Sequence, residues 1–108
     1  VNERARAYLH TNCSQCHRPA GVTSTNLYFR YTASLCATMA CDTVPQRGDL
    51  GLGSDARVIA PGSSSNSLVV YRMNRRDSSA MPPLGSLTPD TAGVSLISQW
   101  IDSLSSCQ

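Results

Sequence analysis

The sequence predicts an all-α domain of about three main helices joined by long irregular loops. Three stretches carry that prediction. Asn2 to Thr11 is rich in helix formers and sets Ala5, Tyr8 and Leu9 at i, i+3 and i+4. Ser67 to about Arg75 carries Leu68, Val69, Tyr71, Arg72 and Met73. A last segment from Thr88-Pro89 to Leu104 lines up Val94, Ile97, Trp100, Ile101 and Leu104 as a helical stripe.

Each helix has a starting signal. Asn2 is a candidate cap for the first, and Asn66 or Ser67 opens the second. Thr88 is the candidate cap of the third, with Pro89 at its first helical position. The connections read as loops. Arg18-Pro19-Ala20-Gly21 is a turn. Leu27, Phe29 and Tyr31 alternate with Tyr28 and Arg30, as in a short extended or irregular stretch. Pro45, Gly48, Gly51 and Gly53 keep regular structure short, and Val58-Ile59-Ala60 is an apolar run closed by Pro61-Gly62. A polar loop from Arg76 to Ala80 leads into Met81-Pro82-Pro83.

Length bounds the rest. With 108 residues, 1–108 reads as a single domain with a modest core, which a prosthetic group or cross-link would help stabilise. Hydrophobic residues make up 41% and charged residues only 15%, the balance of a globular chain. No stretch reaches the ~18 apolar residues of a membrane span. The polar opening from Val1 reads as a mature protein or an excised domain rather than a signal peptide. The net charge is +2 and every basic residue is arginine. Arg72, Arg75 and Arg76 form the one basic cluster, which reads as a solvated helix face rather than a nucleic-acid surface.

The chemistry is concentrated in Cys13-Ser14-Gln15-Cys16-His17. Two cysteines separated by two residues and followed at once by histidine are the signal for covalent c-type haem attachment. Both thiols must reach the vinyl groups on one edge of the porphyrin. The next residue then carries its imidazole to the iron. Cys13 and Cys16 are thus expected to bind the haem and His17 to be the proximal ligand. Without the histidine, the pair would read equally as a redox dithiol or half a zinc site.

The sixth ligand has to come from far along the chain. Met39 lies in a weakly patterned segment and Met73 inside a helix, where packing is the better reading. Met81 stands on a loop before two prolines that fix the backbone, and is the expected ligand. His10 reads as a surface histidine. A thioether favours Fe(II) and raises the potential relative to two imidazoles, and two filled positions leave no room for oxygen or peroxide. The expected function is one-electron transfer without substrate chemistry. The competing reading is a peroxidase-like or gas-binding haem protein with a labile sixth site; a zinc or thiol-redox domain ranks third. Arg57 and Arg72 are candidate partners for the haem propionates, with Tyr71 and Trp100 as further donors. Trp100 is expected chiefly to pack on the first helix near Tyr8 and Leu9. Ala20, Gly21, Val22, Pro82, Pro83 and Leu84 would ring an exposed haem edge and form a small transient docking patch.

Five cysteines point to an oxidising compartment. With two assigned to haem, Cys36, Cys41 and Cys107 remain, enough for one disulfide and one thiol. The residues alone leave the pairing open.

Taken together, Asn12-Cys13-Ser14-Gln15-Cys16-His17, Met81-Pro82-Pro83 and Gln99-Trp100-Ile101 resemble a class I c-type cytochrome. Gly48-Asp49-Leu50-Gly51, Ala60-Pro61-Gly62, Ser67-Leu68, Arg72-Met73 and Met81-Pro82-Pro83-Leu84 narrow the resemblance further. They are similar to cytochrome domains fused to secreted or periplasmic sugar-oxidising quinoproteins. The likeness extends to domains of carbohydrate-binding redox proteins thought to serve lytic polysaccharide monooxygenases. The resemblance implies helices wrapped around one haem c, with the first and last helices crossing. It implies a Cys41–Cys107 disulfide, against the local alternative Cys36–Cys41. It also implies a periplasmic or secreted location. The expected partner is a quinoprotein dehydrogenase, a polysaccharide monooxygenase or another cytochrome, met by a monomeric domain.

Overall fold

The computed structural model describes residues 2–14, 17, 27–45, 48–75, 77, 80–81 and 90–107. Among these, regular structure is helical, with three α-helices and no strands. Helix α1 is Asn2–Cys13, α2 is Leu68–Met73 and α3 is Thr91–Ser103. Short 3₁₀ turns occupy Cys36–Thr38 and Ser64–Asn66. The all-α expectation holds at this level.

Helices α1 and α3 pack directly on each other. The α1 positions Ala5 and Leu9 are fully buried, as are Ile97, Trp100 and Ile101 of α3. The contact is close because α3 has a glycine there. A Cβ on Gly93 would collide with the Tyr8 hydroxyl and ring, 2.6 Å from Cε2. Tyr8 then donates its hydroxyl proton to Asp90 Oδ2 at 3.0 Å, just ahead of α3.

Two of the helix starts differ from the expected ones. Asp90, not Thr88, caps α3, with its Oδ1 accepting from Gly93 N–H at 3.0 Å; Thr88 and Pro89 lie outside the described residues. A carboxylate accepts this bond and complements the positive end of the helix dipole at once. Asn2 stands inside α1, and its Oδ1 accepts from Trp100 Nε1 at 2.9 Å. The indole N–H needs a partner once buried, and Asn2 supplies it. Trp100 is 1% exposed and therefore belongs to the helix crossing, as expected.

Helix α2 is shorter than the pattern suggested, ending at Met73. Ser67 sits at its N-cap position, but its hydroxyl accepts from Ala60 N–H at 2.8 Å and donates to Ser63 C=O at 2.9 Å. Ser67 therefore serves the neighbouring loop rather than the helix.

The middle of the chain is held by backbone bonds. The apolar run at 57–60 lies between two other segments. Asp42 N–H donates to Ile59 C=O at 2.7 Å, and Ile59 N–H donates to Ala40 C=O at 3.0 Å. On its other side, Leu68 N–H donates to Arg57 C=O at 2.9 Å and Val69 N–H to Val58 C=O at 3.1 Å. Only isolated parallel bridges result, Cys41 with Ile59 and Arg57 with Ser67. Ile59, fully buried, brings this layer into the same core as Leu9, Leu35, Met73 and Trp100. Gly62, at φ +80°, lets its N–H reach Ile101 C=O at 2.9 Å, a turn geometry that favours glycine.

Cys41 and Cys107 form a disulfide with Cα atoms 5.7 Å apart, joining this layer to the end of α3 across 66 positions of sequence. Cys36 is exposed and outside the disulfide.

Candidate functional site

The cysteine–histidine motif sits where α1 ends. Cys13 is the last residue of the helix and half-buried. Ser14 is buried, and its hydroxyl and N–H both donate to His10 C=O. His17 N–H donates to Cys13 C=O at 2.9 Å, a bond of helical spacing that closes over the motif. Cys16 lies outside the described residues.

His17 faces inward. Its ring meets Phe29 edge-on, with centroids 5.6 Å apart and planes at 77°. Phe29 N–H donates to His17 C=O at 2.7 Å, so the two residues are joined through backbone and side chain. Burial pushes the imidazole below its ordinary pKa, and a hydrogen bond to the Leu27 backbone partly offsets this. A neutral imidazole can donate through one ring nitrogen and ligate through the other.

Met81 is half-buried, and its N–H donates to Arg72 C=O at 3.0 Å. The methionine loop is thereby tied to the last turn of α2. Pro82, Pro83 and Leu84 lie outside the described residues, as do Ala20, Gly21 and Val22, so the expected docking rim does too. Met73 is buried in the core, in keeping with a packing role, and Met39 is 52% exposed. His10 is exposed, and its Nδ1 accepts from Tyr31 N–H at 2.9 Å.

The arginines divide. Arg57 is half-buried and engaged within the protein: Nη1 donates to Ala56 C=O at 2.8 Å and Ser54 C=O at 3.1 Å, while Nε lies 3.5 Å from Asp42 Oδ1. Arg72 is half-buried on α2, next to the segment that carries Met81. Arg75 pairs with Asp77 at 2.6 Å and stacks over Tyr71 at 5.2 Å, the solvated-face behaviour expected of the cluster. Arg76 lies outside the described residues.

Among the described residues no group of three or more His, Cys, Asp or Glu side chains could hold a bare metal ion. The available donors are a thiol, a neutral imidazole and a thioether. Thiols and imidazole suit an attached porphyrin, and imidazole with thioether suits its iron, so the residues present fit a c-type haem. Leu27 and Phe29, which hold His17, were marked in the sequence only as alternating apolar positions. No spacing rule connects them to a histidine ten and twelve residues earlier.

Comparison of the chain with protein-family models, with curated proteins and with solved structures returned no match.

Proposed function

We propose that this protein is a one-electron carrier of the c-type cytochrome kind, working between an extracytoplasmic oxidoreductase and its acceptor. One observation carries the reading: the Cys13-Ser14-Gln15-Cys16-His17 motif begins at the last residue of α1, and His17 sets its imidazole against buried Phe29. Cys13 and Cys16 would hold the haem through thioether bonds, and His17 and Met81 would be the axial ligands. When bound, the haem supplies a one-electron Fe(III)/Fe(II) couple.

The chain's own residues have three tasks. His17 offers a neutral nitrogen, oriented by the Leu27 backbone and by Phe29. Met81 is held by its backbone bond to Arg72, so that α2 and the thioether share one frame. Leu9, Phe29, Leu35, Met73 and Trp100 form an apolar core that excludes water. Arg57, which also serves Ala56, Ser54 and Asp42, and Arg72 are the candidate propionate partners.

The Cys41–Cys107 disulfide fits an extracytoplasmic setting, and no described helix is long and apolar enough to cross a membrane. The resemblance to cytochrome domains of sugar-oxidising proteins suggests carbohydrate oxidation as the setting. A quinoprotein, a polysaccharide monooxygenase or another cytochrome would be the partner.

The test is an absorption spectrum of oxidised and dithionite-reduced protein, matured with cytochrome assembly machinery, for wild type and Met81→Ala. Haem retained after denaturation, sharp reduced α and β bands, and a red charge-transfer band lost in Met81→Ala are expected. A high-spin wild type would move the open-site, peroxidase-like reading to the front. No retained haem would sink the cytochrome reading and leave a zinc or dithiol role.

A further inference from the structure

We infer that Phe29 sets the plane of the His17 imidazole and is a positioning residue for the haem ligand; this rests on the haem ligation proposed above. The Cβ–Cγ torsion of histidine is broad and roughly two-fold, so the side chain does not choose its own plane. Something outside it must.

The 27–29 segment supplies two constraints. Its Leu27 backbone takes a hydrogen bond from the imidazole. Its Phe29 ring stands at 77° to the imidazole with centroids 5.6 Å apart, the edge-to-face arrangement favoured by aromatic quadrupoles. A hydrogen bond alone restrains one edge of the ring. The T-shaped contact with Phe29 adds a second restraint on the ring plane.

The Phe29 ring is itself immobilised. Phe29 is 5% exposed and packs in one cluster with Leu9, Leu35, Ile97 and Trp100. Its N–H is bound to His17 C=O, and the preceding Tyr28 N–H donates to Thr38 C=O at 2.9 Å. The Thr38 hydroxyl in turn donates to Leu35 C=O, and Thr38 is 1% exposed. The orientation of His17 is therefore referred to the core through Phe29 rather than to the motif's own backbone. In a ferric low-spin haem, the imidazole plane together with the orientation of the thioether on the other side would set how unpaired spin spreads over the porphyrin. Turning that plane rearranges the haem-methyl shifts.

The experiment is proton NMR on holoprotein: wild type, Phe29→Leu, Phe29→Tyr and Ile101→Val. Reduced wild type should show a nuclear Overhauser contact between the Phe29 and His17 rings. In the oxidised state Phe29→Leu, which keeps most of the volume but removes the aromatic wall, should reorder the haem-methyl resonances. Phe29→Tyr, which keeps the ring, should retain the wild-type order, and so should Ile101→Val, a control for core perturbation alone. An unchanged order in folded, haem-loaded Phe29→Leu would overturn the positioning role and leave haem ligation standing. The same reordering in Ile101→Val would overturn it as well. A wild type that holds no haem would overturn both readings.

Discussion

Two halves of this molecule are held together by different physics. At the crossing of α1 and α3, side chains do the work. Gly93 admits the Tyr8 ring, Trp100 is buried with its N–H on Asn2, and Asp90 joins the helix cap to Tyr8. In the layer formed by 40–43, 57–60 and 66–69, the backbone does it. Ladder-like hydrogen bonds run on both sides of Ile59 without developing into strands, and Cys41–Cys107 ties the layer to α3. The crossing draws its stability from apolar area at helical spacing. The layer closes long loops, whose entropy must be recovered by hydrogen bonds and a cross-link. A short chain with many loop residues uses both devices because neither suffices alone.

The largest expected effect separates the two. Removing the disulfide as Cys41→Ala/Cys107→Ala should lower unfolding free energy by about 4 kcal/mol, the chain-entropy value for a loop of this length. Cys36→Ser should leave it unchanged within about 0.5 kcal/mol, as for an exposed substitution. Denaturant titration of the protein checks both. Equal sensitivity of Cys36→Ser and the double variant would mean that Cys36 shares the bridge.

A smaller effect probes the crossing. In Gly93→Ala, a helix propensity gain of at most about 1 kcal/mol competes with overpacking of about 1–3 kcal/mol against Tyr8. The net expectation is destabilisation by about 1 kcal/mol. In a Tyr8→Leu background the same substitution should turn neutral or stabilising, because the ring it meets is gone. A double-mutant cycle measured by denaturation reads this coupling, and additivity would break the account of the crossing.

The smallest effect depends on pH. The Asp90 carboxyl is held below the ordinary carboxylate range, first by Gly93 N–H and then by the Tyr8 hydroxyl. Its folded-state contribution is therefore complete above the usual carboxylate pKa of about 4. It is lost as pH falls through the lowered folded value. Asp90→Asn retains a capping side chain without the titrating charge, so it should fall slightly below wild type near neutrality and converge with it at low pH, giving a shallower acid limb. A pH series of thermal midpoints measures the difference; parallel acid limbs would show that Asp90 contributes no such linkage.

The candidate site combines the same two styles. Its motif begins at the last residue of α1, the helix that shares the crossing, and the His17 imidazole is met by the irregular segment at Leu27 and Phe29. Met81 depends on a single backbone bond to α2.

By itself the sequence determined the features that repeat over a few residues. Helical spacing marked Ala5, Tyr8 and Leu9 and the stripe from Val94 to Leu104, and the cysteine–histidine spacing marked a candidate site that begins at the end of α1. These are local, because a helix presents its faces every 3.6 residues whatever surrounds it. Tertiary structure alone decided what depends on distant partners. Ser67 gave its hydroxyl to Ala60, Asn2 gave its side-chain oxygen to Trp100, and Asp90 replaced Thr88 as the cap. Of the open cysteine pairings it selected Cys41 with Cys107, and it placed Phe29 against His17. Such choices are invisible along the chain. A donor or an aromatic edge takes the partner that folding brings within reach, and that neighbour is set by packing rather than by sequence distance.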